Sequence, residues 1–285
     1  MNTVKNKTKN VIRIFSTIAL LIVGELVIAS CSDDDENTET TRKPPVVLVH
    51  GAWQASYAWE QVRVKLVAEG YEVRSINLKG HGDDNTAVSD LSFAGYVDQV
   101  KDAVSLYHEP VILIGHSLGG AVITQAASEI PTKIQKLVYV AGFIPQSGKS
   151  VFDYAGLDTA SLLGPVLEFN ADHTLAGLTN PQVNLPKVFV QDGTDGQKQI
   201  VLNHYKVEPV IPLATPLNYT AETYAAAGKK YYVFTTGDNA ISFPFQQKMA
   251  TEAGIEKTYK IASGHSPFIS KPDDLTIIIK NIVKD

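Results

Sequence analysis

Short apolar runs alternate with stretches of helical periodicity along most of this chain, and that alternation restricts its fold more than any other feature. Runs at Val46–Val49, Val73–Ile76, Val111–Ile114, Leu137–Val140, Tyr231–Phe234 and, more weakly, Tyr259–Ile261 mostly lack regular polar alternation. They predict strands covered on both faces. Between them, Phe93, Tyr96, Val97, Val100, Val104 and Tyr107 fall at i, i+3, i+4 spacing and place one apolar stripe on a helix. Leu118 to Glu129 has the small-residue character of a buried helix and stops before Pro131. Alternating strands and helices imply an α/β fold, a mostly parallel central sheet with helices on both faces. The interval from Val140 to Tyr231 is too long for a βα connection and predicts an inserted subdomain, a lid over about residues 143–225.

At 285 residues the chain has room for one large domain or two small ones. A hydrophobic fraction of 44% excludes a disordered chain, and 20 Gly and 14 Pro without period exclude a collagen-like one. The net charge is −5. Because Lys5, Lys7, Lys9 and Arg13 outnumber Glu25 in the first 30 residues, the rest is more acidic still. An acidic body without an Arg/Lys stripe excludes broad binding to a nucleic-acid backbone. The single cysteine, Cys31, excludes an internal disulfide and any Cys-based zinc site. No Gly-rich phosphate loop or metal-ligand cluster is present in the pattern, so no cofactor and no metal are expected.

The N-terminus has its own logic. A basic start precedes the apolar run Ile14–Gly24 of 11 residues, then Leu26-Val27-Ile28-Ala29-Ser30-Cys31. Basic, apolar and small-residue zones in that order describe a signal peptide over residues 1–30. A spanning helix needs about 20 apolar residues, and Glu25 interrupts this run early. Ile28-Ala29-Ser30-Cys31 resembles a bacterial lipobox, which implies cleavage before Cys31, a thioether-linked diacylglycerol on its sulfur and acylation of the new N-terminus. Each buried methylene then adds ~0.8 kcal/mol to anchoring. The acidic Ser32-Asp33-Asp34-Asp35-Glu36 resembles signals that route some Gram-negative lipoproteins to the cell surface. The expectation is an exported, membrane-anchored lipoprotein, with outer membrane and cell surface both open as destinations. Residues 31–44 read as an acidic linker closed by Pro44-Pro45, and 45–285 as the folded domain.

Gly115-His116-Ser117-Leu118-Gly119-Gly120 follows the run Val111–Ile114 directly and opens a helix. This is a G-x-S-x-G nucleophile elbow in its strand–turn–helix setting. The serine must occupy a strained turn, glycines on either side prevent backbone clashes, and Leu118 puts an amide at the positive end of the helix dipole.

With these residues the sequence resembles the α/β-hydrolase superfamily, from Pro45 to the C-terminus. The matching pieces include His50-Gly51-Ala52-Trp53, Asn77-Leu78-Lys79-Gly80-His81-Gly82 and Gly115–Gly120. His50-Gly51-Ala52-Trp53 with Trp59 six residues on, Ala141-Gly142-Phe143-Ile144-Pro145 and Ser263-Gly264-His265-Ser266-Pro267-Phe268 are similar to the branch of methylsalicylate-type methyl esterases, hydroxynitrile lyases and bacterial esterase relatives. The resemblance implies Ser117 as nucleophile and His265, after the last strand, as base. It implies Asp238, after Tyr231–Phe234, as the acid, although the proline that follows is shifted to Pro244. Asp153 and Asp158 remain alternative acids. The oxyanion donors implied are the amides of Leu118 and Ala52. His50 is expected to brace its loop and His81 to be structural; His116 fills the variable elbow position, and His108, His173 and His204 carry no motif. Trp53, Phe143 and Phe152 are candidates for an apolar substrate pocket, with the rest of the lid supplying its wall or its own core.

The function implied is a carboxylesterase acting on a small apolar or aromatic ester; the oligomeric state is not readable. Two alternatives stand beside it. In hydroxynitrile lyases of the branch a Thr follows the His of the oxyanion loop and a Lys follows the catalytic His, where this chain has Gly51 and Ser266. A non-catalytic ligand receptor on the same fold is the third reading.

Overall fold

The computed structural model describes residues 43–285. The signal-peptide zone, the Cys31 lipobox and most of the linker lie outside the described residues. Nine strands are present among them: β1 (Val46–Val49), β2 (Val73–Ile76), β3 (Val111–His116), β4 (Ile134–Val140), β5 (Leu167–Phe169), β6 (Leu175–Leu178), β7 (Glu208–Pro209), β8 (Lys229–Thr235) and β9 (Lys257–Ile261). Six form one sheet in the order β2-β1-β3-β4-β8-β9, parallel throughout, with Val46 opposite both Val73 and Ile112.

The apolar runs sort by position in this sheet. Strands β1 and β3 are buried along their whole length, and β4 nearly so. Strands β2 and β9 do not follow the expectation of cover on both faces: Arg74, Lys257, Thr258 and Lys260 are exposed. They are the two edges, where charged side chains blunt a row of unpaired backbone groups. Helix α1 (Glu60–Ala68) packs on the C-terminal helix Pro272–Lys284, and α2 (Phe93–Ser105) packs on α3 (Leu118–Glu129). Ser92 caps α2 by accepting from the Gly95 amide at 3.0 Å. The predicted stripe is its buried face, with Tyr107 buried just past its end.

Chain direction across the sheet explains where a site belongs. From β1 the chain moves outward to β2, then returns to lay β3 on the other side of β1. Ligands of open α/β sheets bind at the carboxyl ends of strands where the order reverses in this way. Those ends here are His50–Trp53 and Ser117.

Residues between β4 and β8 form the insertion. It holds five helices, at Val151–Ala155, Pro181–Phe189, Asp195–Asn203, Val210–Ala214 and Ala221–Ala226. It also contains a small antiparallel sheet, β5-β6-β7, in which Ala176 is opposite Glu208. That second sheet had no expected counterpart, because strands of two to four residues leave no periodic signal.

Candidate active site

Ser117 stands between β3 and α3 at φ 52°, ψ −123°. A left-handed φ on a non-glycine residue is strained, of order 1–3 kcal/mol, and persists only where the surroundings over-determine it. Here they do. A Cβ at Gly115 would lie 2.5 Å from the Gly119 carbonyl oxygen, and one at Gly119 would lie 2.6 Å from that of His50. The elbow therefore fits only with hydrogen at both motif glycines, which lets the backbone close tightly under the serine.

His265 follows β9 in a loop and is fully buried. Its Nδ1 lies 2.8 Å from Asp238 Oδ2, and neither side chain reaches solvent. The same oxygen accepts from the Thr235 hydroxyl at 2.7 Å and from Gln246 Nε2 at 3.0 Å. The other carboxylate oxygen accepts the amides of Ala240 at 2.7 Å and Ile241 at 2.9 Å. Four donors besides the histidine thus fix Asp238 in direction and leave it an acceptor toward His265. Its partner nitrogen must carry the proton, so the imidazole is Nδ1–H with Nε2 as acceptor. Nε2 has no hydrogen-bond partner among the described residues.

The two other acids go elsewhere. Asp153 closes a capping box with Ser150 at the start of the helix Val151–Ala155. Asp158 accepts from the Ser242 amide and hydroxyl at 2.7 and 2.6 Å. Neither has a hydrogen bond to His265 among the described residues; the one acid of the three that the geometry joins to the histidine is Asp238.

Ser117, Ala52, Leu118, Trp53, Phe143 and Phe152 line one cavity of about 30 Å³. Every oxyanion and pocket residue expected from the sequence is on that wall, with Ser117; His265 and Asp238 are not among its lining. Phe152, Ala155, Leu163, Leu167 and Ala240 line it too, and the same five side chains also line an outer groove of about 510 Å³. They stand between the serine and the groove.

His50 braces its loop as expected, in a specific way. The Leu78 amide donates to His50 Nε2 at 3.0 Å, so Nδ1 carries the hydrogen and donates to the Gly51 carbonyl at 2.8 Å. Gly51 C=O and Ala52 N–H belong to one trans peptide and point in opposite directions. Holding the carbonyl on the histidine therefore turns the Ala52 amide away from it. Burial first, and His81 second, push His50 down to about 3, so it stays a neutral brace.

His116 does more than fill a variable position. Its Nε2 lies 2.8 Å from the His265 carbonyl oxygen and donates to it, so the elbow itself holds the backbone of His265. Burial, with the nearby His265, keeps His116 well below the ordinary histidine value. Glu208 is the residue that sequence reasoning missed. It is completely buried, accepts the Trp53 amide at 2.7 Å and lies 2.9 Å from His81 Nε2. A single Glu before Pro209 carries no local signal for contacts that far away in sequence.

A sequence-family model described as "Alpha/beta hydrolase family" matches residues 46–276. Among curated proteins, the chain is similar to "Putative methylesterase 11, chloroplastic" of Arabidopsis thaliana, 29% identical over 251 residues, 84% of this chain and 63% of that protein. The chain thus spans less than two thirds of that relative's length. Methylesterase 3 of the same plant is 27% identical over 263 residues, 86% of this chain and 98% of its own. Among solved structures, polyneuridine aldehyde esterase superposes with a TM-score of 0.75 at 18% identity, over 84% of this chain and 99% of that one. The relatives fall in the methylesterase branch that the His50–Trp53 and Ser263–Phe268 segments resemble.

Proposed function

We propose that this chain, which belongs to the alpha/beta hydrolase family, is a serine carboxylesterase that cleaves a small apolar or aromatic ester through an acyl-enzyme on Ser117. One observation carries the reading: a buried imidazole with Nδ1 tied to a fully satisfied carboxylate and Nε2 left without a partner, in a loop held by the residue that precedes a strained serine. Such a ring is set to accept one proton at one atom. The methylesterase relatives support an ester as its substrate.

The chemistry follows from the parts. Ser117 Oγ attacks the ester carbonyl carbon while His265 Nε2 takes its proton, and Asp238 stabilises the imidazolium that forms. The carbonyl oxygen becomes an oxyanion facing the amides of Ala52 and Leu118, each such donor contributing ~10²–10³ in rate. Collapse breaks the bond to the alcohol, which leaves with the proton from His265. Water then gives its proton to His265, attacks the acyl-serine and releases the acid, restoring Ser117–OH.

Lyase chemistry finds less support. A side chain at position 51, where the lyases of the branch carry Thr, would begin 2.6 Å from Ser117 Cβ and 2.8 Å from His116 Nδ1. The deciding experiment is hydrolysis by the purified domain of a panel of aryl and alkyl esters. Cyanide release from mandelonitrile would instead establish the lyase, and tight ester binding without turnover a receptor.

The side chains between cavity and groove should set substrate size. Phe152→Ala removes the ring that borders both spaces. It should raise kcat/KM for a naphthyl ester relative to an acetate ester by about tenfold, a typical effect for pocket volume. An unchanged ratio would show that acyl or alcohol groups do not pass there.

For the N-terminus we propose lipidation of Cys31. Cys31→Ser should take up no labelled palmitate and leave the protein unprocessed or soluble; labelling equal to wild type would remove the anchor from the account.

A further inference from the structure

A carboxylate taken fully out of water costs several kcal/mol unless it is paired, and Glu208 is such a group on the rim of the lid. It does not merely plug the lid onto the body. Its Oε2 accepts the backbone N–H of Trp53 at 2.7 Å, while Ala176, its neighbour across β6 and β7, accepts the Trp53 indole N–H at 3.0 Å. Both lid strands thereby grip one residue. That residue has a left-handed φ of 58° and follows Ala52 directly. The peptide before Ala52 is held by His50 from the body; the peptide after it is held by Glu208 from the lid. Between them they fix both peptide planes flanking Ala52.

His81 completes the arrangement. Its Nδ1 lies 3.0 Å from the Lys79 carbonyl oxygen and its Nε2 lies 2.9 Å from Glu208 Oε2. Both partners are acceptors, so a singly protonated ring would leave one lone pair facing an oxygen. One proton must therefore lie between Nε2 and Oε2, shared by the two buried groups.

Building on the serine-esterase reading, we propose that Glu208, bonded to His81, is a positioning residue of the oxyanion hole, through which docking of the lid onto Trp53 aims the Ala52 amide at the reacting carbonyl. Lid seating and catalytic competence are then one event: the loop reaches its strained form only with Glu208 in place. The groups around His81 are Glu208 from the lid, His50 from the loop after β1, Tyr96 from α2, and Lys79 and Asp84 from its own segment. Burial opposes the charge on His81, but Glu208 together with the backbone carbonyls of Lys79 and Leu78 outweighs it and raises the histidine above its ordinary value. A raised value means that the proton-bound pair holds fully below the ordinary histidine range and is lost as pH climbs through the raised one.

Steady-state kinetics of Glu208→Gln test this. The amide keeps the shape and loses the charge. We expect kcat for an aryl ester to fall roughly 10- to 100-fold, part of the ~10²–10³ that one oxyanion donor contributes, with KM within about twofold. The alkaline limb of kcat should move to lower pH, because His81 has lost the anion that holds its proton. Loss of a merely structural contact would lower stability or raise KM without moving that limb. His81→Gln, which keeps a donor for Glu208 and cannot titrate, should abolish the limb and keep a larger share of kcat. Wild-type kcat and limb in Glu208→Gln, or a change confined to KM, would overturn the proposal; if that variant does not fold, a wild-type limb in His81→Gln does so. Labelling of Ser117 by a fluorophosphonate in each protein keeps the two readings apart. A wild type that hydrolyses esters without labelling at Ser117 defeats the esterase mechanism, whereas a labelled but slow Glu208→Gln supports the positioning role.

Discussion

Ser117→Ala should abolish ester turnover, lowering kcat by about 10⁶, the scale seen when a triad nucleophile is removed. The loss is of one oxygen from a cavity wall; neither the elbow nor its glycines change. Alanine also carries a Cβ, so the variant retains the strained φ of 52° and the packing around it, and its melting temperature should stay close to wild type. A fluorophosphonate probe should mark the wild type at Ser117 and leave the alanine variant unmarked, and the burst of released alcohol should vanish with it. Turnover that survives in Ser117→Ala, or an adduct on another side chain, would refute the acyl-enzyme.

Asp238→Asn should cost about 10⁴ in kcat, and unlike the serine change it should also cost stability. Five donors converge on this carboxylate, and an amide has only one oxygen to offer them. With its NH₂ group in the Oδ2 position, asparagine faces His265 Nδ1 and forces the ring into the opposite tautomer, with hydrogen on the nitrogen that should act as base. In the Oδ1 position it faces the amides of Ala240 and Ile241 instead, leaving buried donors unmatched at about 1–3 kcal/mol each. Either arrangement fails, so thermal unfolding and ester kinetics should fall together. Asp153→Asn and Asp158→Asn supply the contrast: the first loosens a helix cap, the second a tie between lid and acid loop, and both should retain most of their turnover. Near-normal kinetics in Asp238→Asn with loss in Asp158→Asn would move the acid.

How much of this was legible in the sequence depends on how local each signal is. Val111–Ile114 and Leu137–Val140 announced themselves because strands covered on both faces must be apolar throughout. Val73–Ile76 did not say that it was an edge, since Arg74 and Ser75 mean something only once the neighbouring strand is known to be missing. The strained turn at Ser117 was legible because it demands glycine at fixed spacing, and the place of His265 because the resemblance puts a candidate base after the last strand. Asp238 could be read against Asp153 and Asp158 only by resemblance; the structure separates them by the hydrogen bond to His265. The pairing of Glu208 with His81 was out of reach. They are 127 positions apart, and neither lies in a pattern that burial or periodicity would mark. His116 was hidden for the opposite reason: its motif position tolerates many residues, so its bond to the His265 carbonyl has no counterpart in the spacing.

The cavity at Ser117, about 30 Å³, is separated from the outer groove by Phe152, Ala155, Leu163, Leu167 and Ala240. If those five side chains must part before an aryl ester enters, the form described is one member of an equilibrium and the open form is the other. Apparent affinity is the intrinsic affinity discounted by the fraction of molecules open. An enzyme open one time in a hundred would show a KM about a hundredfold above the true dissociation constant when opening is in rapid equilibrium and chemistry is slow. In such a protein, weak apparent binding of a good substrate reports how seldom the molecule opens, and not how poorly the pocket fits.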